Sequence, residues 1–242
     1  MYLEIFRNYL LLFGKKKGII EVKGGIYMKR AILFDLDGTI IDSSEGIFAS
    51  ILFATETLKL AYPDSETLRK FIGPPLKTSF ERYLELDEVL ANKAVQAYRA
   101  YYAKKGMYQV KIYDGIKDVL EALSSEYIVC IATSKPEIFA KKILDSLKFT
   151  EYFSGIYGAD LEGNRSEKTA VISYALSHHP EIKQAIMIGD REHDVIGGKQ
   201  NKLATLGVLY GFGSKQELVS AGADQLVKTP YDILDKLKTI NE

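Results

Sequence analysis

The sequence contains no tryptophan, one cysteine, six prolines and three histidines in 242 residues. A single cysteine, Cys130, excludes an intramolecular disulfide and suits a reducing compartment, so a cytoplasmic setting is expected. No uninterrupted apolar run approaches the roughly 18 residues of a membrane span, so no membrane partner is expected. Charge of one sign is not in excess either. Thirty-two basic residues balance 32 acidic ones, for a formal net charge of zero. A protein of polymeric nucleic acid usually carries a basic surplus, so no such partner is expected. What is present is ordinary: 47% hydrophobic and 26% charged residues. That composition excludes disorder, collagen and coiled coil for the bulk of the chain. The length supports one large domain or two modest ones with a core of their own.

Residues 1–27 stand apart. Met1 to Phe13 is mostly apolar but carries Glu4 and Arg7. It lacks the charged, apolar and small-residue order of a signal peptide. Lys23-Gly24-Gly25 lies just before Met28, and codons for that tripeptide can spell a purine-rich ribosome-binding sequence. Two readings stand: 1–27 is a translated leader with Met28 as the true start, or it is an amphipathic N-terminal arm. A native N-terminal peptide preceding Met28 excludes the first.

Beyond it, Ala31-Ile32-Leu33-Phe34 is an apolar run that reads as a strand buried on both faces. Tyr127 to Ala132, Ala185 to Ile188 and Ala204 to Leu209 share that character. Helical patterns lie between them. Ile116, Val119, Leu120 and Leu123 form one stripe, with Asp114 as the expected N-cap, and Ser214-Lys215-Gln216-Glu217 reads as a capping box. The alternation predicts an α/β fold with a Rossmann-like parallel sheet, whose ligands sit at the carboxyl ends of the strands. The interval 43–110 breaks the alternation with helical patterns and no strand. Asp42 and Glu45 look like an N-cap pair. Ile47, Ile51, Ala54 and Leu58 give one stripe, Leu90, Ala94, Ala97 and Tyr101 another, and Gly73-Pro74-Pro75 interrupts the middle. The expected organisation is an extension (1–27), a core domain (28–42 and 111–242) and an inserted α-helical cap domain (43–110).

Four segments carry chemistry. Asp35-Leu36-Asp37-Gly38-Thr39 directly follows the first strand, where residues two apart share a face. Two close carboxylates repel, and Mg2+, a hard cation preferring oxygen, relieves that repulsion. Gly38 permits a sharp reversal of the chain. Thr133-Ser134-Lys135-Pro136 ends the second strand. A hydroxyl and backbone N–H groups at a helix start suit a phosphate oxygen, though a simple N-cap would look the same. Lys168 opens a helix against the macrodipole, which invites a functional reason. Gly189-Asp190-Arg191-Glu192-His193-Asp194 places two acids at a strand-to-helix junction.

The order Asp35-x-Asp37-Gly-Thr, Thr133-Ser134, Lys168, Gly189-Asp190-x-x-x-Asp194 resembles the haloacid dehalogenase-like hydrolase superfamily, from Lys29 to about Ile240. The insert resembles the helical C1-type cap of its phosphoglycolate phosphatase branch. Phe71-Ile72-Gly73-Pro74-Pro75-Leu76, the stretch Gly158-Ala159-Asp160 to Lys168, and Gly207 to Gly213 are similar to that branch as well. The resemblance implies a phosphoric monoester hydrolase acting on a small soluble phosphomonoester: phosphoglycolate, a 5′-nucleotide or a sugar phosphate. It implies Asp35 as nucleophile, Asp37 as acid and then base, and Lys168 as the cation steadying the transferring group. Gly38, Thr39, Thr133, Ser134 and Arg165 are the implied substrate contacts. Asp35, Asp190, Asp194 and the Asp37 main chain are the implied Mg2+ site, with Asp194 acting through water or orienting Lys168. Asp37 argues against the dehalogenase branch, whose halide leaves without a proton. Ser43, Ser44, Glu45 and Lys77 are further candidates near the site. A phosphomutase of the beta-phosphoglucomutase type and an inactive binding module are the alternatives. A monomer or homodimer is expected.

Other residues invite bland readings. His193 reads as a supporting or surface residue, His178-His179-Pro180 as a helix end, and Cys130 as a buried small hydrophobe. Tyr98, Tyr101, Tyr102 and Tyr108 read as packing, or as an aromatic wall for a base or sugar.

Overall fold

A computed structural model describes residues 19–22 and 26–240. The first strands are β1 (Ile19–Val22), β2 (Ile26–Phe34) and β3 (Ile41–Asp42). Helices α1 (Ser44–Thr57), α2 (Ser65–Lys70), α3 (Leu76–Tyr83) and α4 (Glu88–Tyr102) follow, then β4 (Lys111–Ile112). The rest alternates: α5 (Ile116–Glu126), β5 (Ile128–Pro136), α6 (Glu137–Ser146), β6 (Gly155–Ala159), α7 (Lys168–Ser177), β7 (Ile182–Gly189). Strand β8 (Ala204–Val208), α9 between α8 (Glu192–Gln200) and the last strand (α9 being Lys215–Ser220), β9 (Gln225–Val227) and α10 (Tyr231–Ile240) complete it.

The main sheet runs β6-β5-β2-β7-β8-β9 with every neighbouring pair parallel. Strand β2 is central because it is apolar on both faces. Ile32 and Phe34 join one core cluster with Val129, Ile131, Ile186 and Ile188. Ala31 and Leu33 face the other side with Cys130, Val171 and Met187. Truncating one of the large side chains to alanine costs roughly 2–5 kcal/mol.

The first strand begins earlier than its apolar run suggests. Residues 26–29 pair antiparallel with β1, so Met28 lies within a strand. Residues 1–18 and 23–25 of the expected extension lie outside the described residues. Four further strands escape the sequence pattern: β6, β9 and the two of the short β3–β4 ribbon, which pairs Ile41 with Ile112 and Asp42 with Lys111. Residues 43–110 contain helices and no strand, with Gly73-Pro74-Pro75 between α2 and α3.

Several local expectations change. The N-cap of α5 is Gly115 at φ +86°, not Asp114. A Cβ there would collide with the Tyr231 ring, so glycine supplies both the left-handed turn and the room. The buried stripe of α4 is Ala91, Ala94, Tyr98 and Tyr102; it keeps Ala94 of the expected stripe, while Leu90, Ala97 and Tyr101 each give way to the next residue. Tyr101 instead packs outward on Phe53, ring centroids 5.0 Å apart. The N-cap of α1 is Ser43, not Asp42; Asp42 precedes it and accepts from the Ser44 N–H (2.9 Å) and hydroxyl (2.6 Å), while Glu45 stays exposed beside Lys111. Ser214 accepts from the Glu217 N–H at 3.1 Å, but the Glu217 carboxylate turns to Arg191 (2.7 Å) and the Glu192 N–H (2.9 Å), so half the capping box forms.

Candidate active site

The carboxyl ends of β2, β5 and β7 bring the four segments together. Asp35 follows β2 and donates its N–H to the Ile188 carbonyl (2.9 Å), which fixes the first segment beside the fourth. The chain then folds back on itself. Ile40 and Ile41 donate to the Leu36 carbonyl (3.0 and 3.1 Å), and Gly38 donates to the Ile41 carbonyl (2.8 Å). Gly38 adopts φ +86°, and a Cβ there would occupy the position of the Asp190 carboxylate. This glycine therefore serves the turn and the approach of Asp190 at once.

Lys168 sits at the centre, its side chain only 4% exposed. Its ammonium lies 2.6 Å from Asp35 Oδ1 and 2.7 Å from Asp194 Oδ1, and donates to the Ala132 carbonyl at 3.0 Å. Burial disfavours that charge, yet Asp194 and Asp35 outweigh it, and the pKa stands above the ordinary lysine value. Asp190 is buried and accepts from the Phe212 N–H at 2.7 Å, with the Thr39 hydroxyl 3.5 Å away. Burial, then Asp194 and Asp35, push its carboxyl well above the usual range. Asp194 accepts from the Arg191 N–H at 3.0 Å. Burial raises its carboxyl too, against the pull of Lys168. Two of the three buried carboxylates, Asp35 and Asp194, thus share one ammonium.

Asp35, Asp190 and Asp194 each offer an oxygen within 4.8 Å of the others. An all-carboxylate donor set with negative charge in excess fits a hard divalent cation such as Mg2+. Asp37 looks elsewhere. Its Oδ2 lies 2.9 Å from Lys135 Nζ, and its Oδ1 is buried without a hydrogen-bond partner among the described residues. Thr133 is buried, and its hydroxyl accepts from the Lys135 N–H at 3.2 Å. Ser134 is half-buried beside it.

Other candidates are engaged away from this cluster. The Arg165 guanidinium donates to the Gly158 carbonyl (2.9 Å), approaches Glu137 (3.5 Å) and stacks 3.7 Å over the Tyr174 ring. Lys77 is bound to Glu88 (2.7 Å) and Glu81 (3.6 Å) on the surface. Ser43 is buried, Ser44 donates to Asp42, and Glu45 is exposed beside Lys111. The four tyrosines form no single wall: Tyr98 and Tyr102 are buried and stacked at 5.4 Å, and Tyr108 is exposed. His179 pairs with the Tyr157 hydroxyl at 2.9 Å beside Cys130, with no metal-type cluster around it among the described residues.

Two residues at the site carried no sequence assignment. Lys135 was visible only as the third member of Thr133-Ser134-Lys135, and its meeting with Asp37 depends on the fold. Arg191 donates to the Ile72 carbonyl of the helical insert while Glu217 holds its other edge.

The chain's similarities agree with this geometry. Residues 32–208 match the family model described as haloacid dehalogenase-like hydrolase. A 5′-nucleotidase of Pseudomonas aeruginosa is 43% identical over 189 residues, covering 77% of this chain and 86% of that protein. A phosphoglycolate phosphatase of Colwellia psychrerythraea is 28% identical over 220 residues, 87% of this chain and 97% of the relative. The crystal structure of a predicted phosphatase from Clostridium acetobutylicum is 44% identical, with a TM-score of 0.82, covering 88% of this chain and 99% of that one. With its parallel sheet, its helical insert and the family match across most of its length, the chain belongs to the haloacid dehalogenase-like hydrolases.

Proposed function

We propose that the protein is a Mg2+-dependent phosphatase of small soluble phosphomonoesters, acting through an aspartyl-phosphate on Asp35. The observation that carries this reading is the buried cluster in which Lys168 bridges Asp35 and Asp194 while Asp37 stands two residues away. A 5′-nucleotide, phosphoglycolate or a sugar phosphate is the substrate, in line with what the relatives are called.

Phosphoryl transfer asks for positioning and charge neutralisation more than for elaborate covalent chemistry. A carboxylate oxygen of Asp35 attacks phosphorus, the bond from phosphorus to the ester oxygen breaks, and Asp37 gives its proton to the departing alkoxide. Water then attacks the phosphorus of the acyl phosphate and returns a proton to Asp37. Inorganic phosphate leaves and Asp35 is regenerated. Thr133 and Ser134 hold phosphoryl oxygens, and Lys168 orients Asp35 and balances the charge on the transferring group. Asp35, Asp190 and Asp194 would hold Mg2+ together with the Asp37 main chain. That cation supplies neutralisation of the phosphoryl oxygens and of the mutual repulsion of the carboxylates.

Phosphate release from a panel of phosphomonoesters, with Mg2+ or chelator, tests the proposal. Turnover that needs Mg2+ and disappears in Asp35→Asn supports it. Phosphoryl transfer between two positions of a sugar without phosphate release overturns it in favour of a mutase. Metal-dependent stabilisation without any turnover overturns it in favour of a binding module.

A further inference from the structure

We propose that Lys135 is a positioning residue for Asp37. It holds one carboxylate oxygen so that the other faces the leaving group, and Tyr102 of the helical insert holds Lys135 in turn. This rests on the phosphatase reading and names the part of the site that serves the leaving alcohol.

Four observations carry it. The Lys135 ammonium is 2.9 Å from Asp37 Oδ2 and donates to the Tyr102 hydroxyl oxygen at 2.6 Å. Its side chain is 6% exposed, so the contact is not a surface pair screened by solvent. The pairing of β5 with β6 shifts register between Thr133 and Pro136. Such an irregularity turns side chains away from strict alternation, and here Lys135 reaches Asp37. Finally, Asp37 Oδ1 is buried with no hydrogen-bond partner among the described residues. A buried oxygen of this kind is costly unless a substrate group meets it.

Tyr102 is itself fixed. Its ring stacks on Tyr98 with planes 13° apart and meets Phe139 edge-on at 5.5 Å. Burial opposes the Lys135 charge, but Asp37 and then Tyr102 more than compensate, and the group stays an ammonium. Helix α4 is thereby joined to the acid of the reaction through a single cation.

The test is leaving-group dependence. The parameter kcat/KM registers only the steps up to departure of the alcohol. An alkyl phosphate needs a proton on its leaving oxygen, whereas p-nitrophenyl phosphate expels a phenolate that needs none. General acid catalysis contributes on the order of 100-fold or more. Lys135→Met is expected to lower kcat/KM for the alkyl ester about 100-fold and for the aryl ester less than about threefold. Asp37→Ala provides the reference pattern. If Asp37→Ala is selective and Lys135→Met depresses both esters equally, the inference fails, and Lys135 binds the phosphoryl group common to both. If Asp37→Ala is itself unselective, the acid assignment fails instead. Tyr102→Phe keeps the ring and removes one hydrogen bond. It is expected to reproduce the same selectivity at roughly fivefold, and it decides the matter should Lys135→Met not fold. An equal fold-loss on both esters, or none on either, in Tyr102→Phe would then overturn the proposal.

Discussion

Lys168→Met tests how the active-site charges are balanced in the folded chain. The substitution keeps most of the side-chain volume and removes the one cation that touches both Asp35 and Asp194. Breaking a buried ion pair by removing one partner costs about 3–5 kcal/mol, because the remaining charge is left uncompensated. For a chain of this size, about 2–4 °C of melting temperature accompanies each kcal/mol, so the expected fall is about 6–20 °C. The deficit depends on pH in a direction the structure fixes. Burial already raises Asp190 and Asp194 in the folded state, and loss of Lys168 raises Asp194 further. A carboxyl whose folded pKa exceeds its unfolded value gives a folded state that binds more protons, so stability falls as pH rises through the folded pKa. The variant's deficit relative to wild type is therefore largest at pH 8 and shrinks toward pH 5. Mg2+ is expected to raise the melting temperature of the variant more than that of wild type, since it relieves a larger repulsion. Thermal and urea unfolding at several pH values, with and without Mg2+, read all three. A deficit below about 1 kcal/mol at pH 8, or one that does not change with pH, would refute the reasoning.

Three further outcomes follow from the same contacts. Gly38→Ala places a methyl group at φ +86° on top of the Asp190 carboxylate; a stability loss of at least about 2 kcal/mol and the disappearance of Mg2+-induced stabilisation are expected in thermal unfolding. Arg191→Met unties the core from the Ile72 carbonyl; hydrogen exchange measured by mass spectrometry is expected to accelerate across residues 71–76 with the sheet unaffected, and unchanged exchange there counts against the tie. Burial pushes the Cys130 thiol up to about 12, so a disulfide reagent at pH 8 is expected to leave the native protein unmodified and to label one thiol only after unfolding.

The parallel sheet and the acidic cluster were legible because both are written locally. Four apolar runs mark strands buried on both faces, and each acidic segment directly follows one of them. Strands β6 and β9 are short and contain glycine, glutamine or tyrosine, so their identity comes from the neighbours they pair with. The register of α4 shifted because alanine and tyrosine occupy both candidate stripes; Tyr102 goes inward to meet Lys135 and Tyr98, a tertiary preference that periodicity does not carry. Gly115 displaced Asp114 as a cap because a tyrosine 116 positions later fills the adjacent space. Lys135 and Asp37 are 98 residues apart, and only the adjacency of β2 and β5 joins them. Arg165 illustrates the converse, a basic residue three positions before Lys168 whose charge is engaged by Glu137 and Tyr174.

The β3–β4 ribbon has a topological consequence. The chain departs for the helical insert after Asp42 and returns at Lys111, and these two residues are paired neighbours. Entry and exit therefore share one doorway. The entropy of closing such a loop grows only slowly with its length, so helices beyond the ribbon can be lengthened, shortened or exchanged while the strands below keep their register.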